Sequence, residues 1–124
     1  MNTEEFYSKI RISFPDLARA ADIEFERRNG LLDLEMKYLW FESLSESINN
    51  SMHKSISSDM YIELFECIRH SYHKGDEGLK NIIDVAFVEN LFWSVPIEKA
   101  KTYWVVLPEV LKGLYVSFHG KSPA

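Results

Sequence analysis

One cysteine, Cys67, stands in a chain of 124 residues, so no internal disulfide can form. Its Phe65-Glu66-Cys67-Ile68 setting reads as a helix packed on a core rather than as a reactive thiol. Glycine is nearly as sparse. Gly30, Gly75, Gly78, Gly113 and Gly120 lie scattered, and none belongs to a Walker or dinucleotide-binding pattern, so nucleotide chemistry has no support. The four histidines, His53, His70, His73 and His119, include no His-Glu-x-x-His pair of a zinc hydrolase, and no Gly-x-Ser-x-Gly elbow presents a nucleophilic serine. No uncharged run approaches the roughly 20 apolar residues that cross a bilayer. Met1 to Phe6 carries Glu4 and Glu5 where a secretory signal would be basic, so the expectation is a cytoplasmic protein with no membrane partner. Positive charge is also short. Fourteen Lys and Arg against 19 Asp and Glu leave a net charge of −5, the wrong sign for gripping nucleic acid through its phosphates.

What is present is the balance of one ordinary globular domain, 46% hydrophobic and 27% charged, with eight Phe, six Tyr and three Trp to fill a core. Apolar spacing of three and four predicts an all-α, compact single-domain bundle of five to six helices over 1–124, with 120–124 as a short tail. Thr3 or Asn2 caps a first helix to about Ile12; Ser13-Phe14-Pro15-Asp16 offers a capping box for a second that ends near Asn29-Gly30. Asp33 caps a third, with Tyr38, Phe41, Leu44, Ile48 and Met52 on one face. A fourth, from about Asp59 to Lys74, sets Met60, Tyr61, Leu64, Phe65, Ile68 and Tyr72 in one stripe before a left-handed stop at Gly75. A fifth, about 76–93, is apolar on two faces and therefore central. The stretch 102–106 reads as helix or strand, with helix favoured, and Pro108 opens the last helix.

Chemistry-bearing clusters are few. Glu63, Glu66 and His70 project together from the fourth helix, but a di-metal bundle needs a second Glu-x-x-His set and none is found, so no metal or cofactor is expected. Charge is uneven: residues 1–50 hold ten acids against six bases. Glu35, Glu42 and Glu46 share a face of the third helix with Leu39, an apolar residue ringed by charge as in an interface anchor. Asp59, Glu63 and Glu66 form a second acidic stripe. Both are candidate surfaces for a basic partner, against the ordinary alternative of charged faces turned to water. Leu39, Trp40 and Phe41 cannot all point one way, so Trp40 is either packed on a neighbouring helix or an aromatic anchor at the surface. Phe92-Trp93 and Tyr103-Trp104 pose the same choice, and core is expected for them.

Two stretches, Asp84-Val85-Ala86-Phe87-Val88-Glu89-Asn90-Leu91 and Leu107-Pro108-Glu109-Val110-Leu111-Lys112-Gly113-Leu114-Tyr115-Val116-Ser117-Phe118-His119-Gly120, cover about a fifth of the chain. They resemble small helical bacterial immunity proteins of contact-dependent growth inhibition and related polymorphic toxin systems. The resemblance implies a non-enzymatic protein, monomer or weak dimer, that neutralises the C-terminal domain of a cognate toxin. Toxins of this kind are commonly nucleases, whose active sites are positively charged to stabilise phosphate. Residues 16–74 carry no part of the resemblance, so it transfers a role and no binding residues. The alternatives are a regulatory or adaptor module that binds another basic protein or itself and, more remotely, a small metal-dependent enzyme.

Overall fold

Asn2 opens the first helix as a capping box, its side chain accepting from Glu5 N at 2.8 Å while the Glu5 carboxylate takes the Asn2 N–H at 3.2 Å. In the computed structural model, which describes residues 1–33 and 35–124, α1 spans Thr3–Ser13 and α2 Pro15–Asn29. The box expected at Ser13-Phe14-Pro15-Asp16 does not form. Phe14 is the N-cap and makes no side-chain cap bond, so the proline alone sets the helix start. α3 spans Lys37–His53 and begins later than Asp33 suggests, because the Asp33 carboxylate accepts from Glu35 N at 2.9 Å in a local turn.

A short 3-10 turn, Ser58–Tyr61, leads into α4, Ile62–Lys74. Tyr61, Leu64, Phe65 and Ile68 are buried as the stripe predicts, but Met60, on the 3-10 turn, is exposed. Gly75 is extended rather than left-handed (φ −77, ψ 153). What excludes a side chain there is space: a Cβ would stand 2.9 Å from both Leu79 Cδ2 and the Ser71 carbonyl.

The expected helix 76–93 is the largest correction. Asp76 caps a five-residue α5, Glu77–Asn81, which runs into a π-helical segment, Ile82–Val88, and then turns through residues 89–94. α6, Ile97–Val106, settles the ambiguous stretch as helix, and α7, Glu109–His119, ends at left-handed Gly120. The count is thus seven α-helices among the described residues, not five or six. Pro15, Pro96 and Pro108 each open a separate helix, because a proline lacks the N–H that would continue the one before it. The segment is central nonetheless: it packs against α3 and α7, and Ile83, Ala86, Phe87 and Val88 are buried in a core to which every helix contributes. No described helix is long and apolar enough to cross a membrane.

Tyr103 on α6 is buried, and its hydroxyl donates to the Ile56 carbonyl at 2.7 Å. Burial, with a smaller contribution from Tyr61, pushes the phenol up to about 12. The neutral form is therefore favoured by the fold. Stability from this group is full below about pH 10, where the unfolded phenol titrates, and is lost as pH rises towards 12. Absorbance at the tyrosinate band should show one phenol ionising late, and Tyr103→Phe should remove it; a Tyr103 that ionises with the exposed tyrosines would contradict this burial.

Candidate functional site

A polar stripe on α3 holds the irregular backbone that follows the π segment. Ser45 donates to the Phe87 carbonyl; Asn49, fully buried, donates through Nδ2 to the Asn90 carbonyl at 3.0 Å and accepts from Phe92 N at 2.8 Å. Buried amides of this kind satisfy backbone groups that a broken helix leaves open. Asn90 ties the turn to itself and to α3, donating to the Ala86 carbonyl at 2.9 Å and to Glu42 at 3.5 Å. From α7, His119 donates to the Glu89 carbonyl at 3.0 Å while its ring stacks on Tyr115.

The held turn is strained. Phe92 and Ser94 both have positive φ, 72° and 55°, a conformation uncommon for residues with a side chain. Phe92 points inward onto Trp104 and Tyr115 in edge-on contacts. Trp93, between the two, points out and is 69% exposed. With Arg28, Glu42, Glu46 and Asn90 it lines a concavity of about 220 Å³. The rim is acidic. Burial raises the Asp84 carboxyl; burial first, and then the nearby Asp84 charge, raise Glu89, with His119 opposing. Burial also raises the Tyr38 phenol, and the negative charges of Glu42 and Glu89 add to it. Segments of π-helix and strained non-glycine turns recur at functional sites, where they aim a side chain that a regular helix would bury.

Of the residues singled out by sequence, Glu42 and Glu46 are brought together here, next to Trp93. Glu35 is exposed but lies in the turn before α3, not on its face. Leu39 is half-buried against the core, so it is not the exposed residue its charged neighbours suggest. Trp40 is 1% exposed and stands in the core, its indole N–H donating to Asp22 at 2.8 Å, so packing and not surface anchoring is its role. Asp59, Glu63 and Glu66 are all exposed on the 3-10 turn and α4, and Glu66 accepts from Arg69 at 2.8 Å. Among the described residues, no group of three His, Cys, Asp or Glu is placed to hold a metal ion, so Glu63, Glu66 and His70 do not form a site.

Sequence reasoning missed Trp93, assigned to the core, and passed over Arg28 and Asn49. Asn49 left a signal: an amide flanked by Ile48 and Met52 on an otherwise apolar part of a helix must find a specific partner. The chain belongs to a domain family of unknown function, DUF7674, whose match covers residues 7–120. That match takes in α3, the π segment, the Trp93 turn and α7, so the whole arrangement lies within the DUF7674 domain. No curated protein and no solved structure matches the chain.

Proposed function

We propose that this DUF7674 protein is an immunity protein that acts in the cytosol, binding the C-terminal domain of a cognate toxin one-to-one and neutralising it without catalysis or cofactor. The observation that carries the reading is the concavity at the end of the π segment, where an outward Trp93 stands beside Glu42 and Glu46. An exposed tryptophan bordered by carboxylates is the anatomy of an interface hot spot with a polar rim, and it suits a basic partner. The net charge of −5 adds a long-range attraction to such a partner. A nuclease domain is the partner class, since its phosphate-binding site is positively charged and carboxylates can occupy the places of phosphates. The likeness to immunity proteins in residues 84–91 and 107–120 supports the same role, and the first of those stretches holds Glu89 and Asn90 of this site.

Calorimetric titration with the C-terminal domain encoded by the upstream neighbouring gene tests it, at low and high salt. Nanomolar one-to-one binding that weakens with salt is the expected result. Trp93→Ala should then cost about 2 kcal/mol or more, a loss of roughly thirtyfold in affinity. Glu42→Lys with Glu46→Lys should slow association and flatten the salt dependence while the helical spectrum stays unchanged. Absence of binding at micromolar concentrations, with both partners folded, would remove the toxin pairing. It would favour the adaptor reading, in which the same surface meets another basic protein or a second copy of the chain.

A further inference from the structure

A second cavity, of about 290 Å³, opens between the C-terminal end of α3, the loop that follows it and α6, and shares no lining residue with the Trp93 concavity. Its walls are fixed. The loop is pinned by Ile56 N donating to the Ser51 carbonyl at 3.0 Å and by the Tyr103 hydroxyl on the Ile56 carbonyl. Met52, Ile56 and Tyr103 supply its apolar side.

The polar side is one-sided in its chemistry. Ser58 is 8% exposed and lines the cavity, yet its hydroxyl finds no hydrogen-bond partner among the described residues. The Ser57 hydroxyl accepts from Asp59 N at 3.2 Å, which leaves its own proton to give. Lys99 spends one N–H on the His53 carbonyl and has two left. Thr102 adds a further hydroxyl. The acceptors, by contrast, are occupied. The carbonyls of Met52, His53, Ile56 and Ser57 each already receive a hydrogen bond, and the Glu98 carboxylate is exposed and turned to Lys101 at 4.0 Å. Buried donors without acceptors are costly unless a ligand supplies the missing oxygens.

We propose that this cavity binds a small organic anion, whose acidic head is held by Lys99 and the Ser58 hydroxyl and whose short apolar body lies on Met52, Ile56 and Tyr103. The volume is at the small end of the range for ligand sites, which limits the occupant to a compact acid. A carboxylate and a phosphate share the chemistry of the head. This site is independent of the toxin-binding reading, and either can fail without the other.

The test is an amide NMR titration of the full chain with sodium butyrate and, separately, with inorganic phosphate, against sodium chloride at matched ionic strength. Saturable shifts confined to residues 55–58 and 98–103 are expected, with a dissociation constant of about 1 mM or tighter in at least one arm. Response to butyrate alone identifies a carboxylate head, and response to phosphate alone a phosphate head. Lys99→Met should weaken binding by about tenfold or more, the share of one charge-assisted hydrogen bond. Should that variant fail to fold, Ser58→Ala, which removes a hydroxyl with no partner in the chain, should still weaken it with the amide spectrum otherwise intact. Shifts that follow chloride, that spread over the surface lysines, or that do not saturate by about 10 mM would overturn the proposal.

Discussion

Trp40→Ala should lower the unfolding free energy by about 3–5 kcal/mol, a large share of the roughly 5–15 kcal/mol that holds a domain of this size together. The side chain is among the largest that the fold buries completely. It meets Tyr7 and Phe41 edge-on, at centroid distances of 4.8 and 5.0 Å, so its removal opens a cavity bordered by rigid rings from α1 and α3. It also strips Asp22 of a donor. Asp22 is the hub between the first three helices, taking the Arg11 guanidinium from α1 as well as the indole N–H from α3. Arg11 in turn lies over the Tyr7 and Trp40 rings, so the truncation removes a cation–π contact along with the packing. Urea denaturation followed by far-ultraviolet dichroism would measure the loss, and Trp40→Phe, which keeps a ring but not the donor, should fall between the two. A change under about 1 kcal/mol would mean that Trp40 sits at a rim and not in the core.

Asn49→Ala carries the second large effect. The amide bridges two backbone groups of the strained turn, and both lose their partner at once, with the Phe92 N–H buried. Each stranded group costs about 1–3 kcal/mol, so a loss of about 2–4 kcal/mol is expected. The damage should be local before it is global. Hydrogen exchange at Phe92 should accelerate by a factor of at least about ten, while amides of α1 and α2 keep the protection of the intact protein. Asn49→Asp would keep the acceptor for Phe92 but place a charge in a buried site without a donor for Asn90, and should be no less destabilising. Unchanged exchange at Phe92 would show that the turn holds its shape without α3. Since Asn49 is fully buried, any loss of partner binding in these variants reports on the placement of Trp93 rather than on a lost contact.

The elements most legible from sequence are those built by local rules. Apolar spacing in residues 62–74 and 109–119 gives α4 and α7, Pro15 marks the start of α2, and Gly120 closes α7 in the left-handed conformation. Asn2 announces α1 because its cap partner, Glu5, is three residues away. The functional surface is less legible because it is made by contacts between distant parts of the chain. Ser45 and Phe87 are 42 residues apart, and Asn49 and Phe92 are 43 apart. Nothing in the run from Ile82 to Trp93 distinguishes a continuous helix from a π segment with a turn. Its apolar residues fit either, and only the polar stripe of α3, unmatched on an apolar helix, hints that a backbone needs satisfying. Trp40 and Trp93 make the same point in opposite directions. Each has a bulky neighbour, Phe41 or Phe92, that competes for the core. Trp40 is packed beside Phe41, whereas the positive φ at Phe92 and Ser94 turns Trp93 to solvent.

The π segment has a geometric corollary. An α-helix advances about 100° around its axis with each residue, and a wider turn that takes in one more residue resets that angle for everything after it. The direction in which Trp93 faces is therefore set by how many residues lie between Asn81 and the turn, and not by which residues they are. A change of length by one in this segment would swing the indole about a quarter of the way round the domain, leaving α1 to α4 as they stand. Indel variation, more than substitution, is the economical way for such a scaffold to re-aim its recognition.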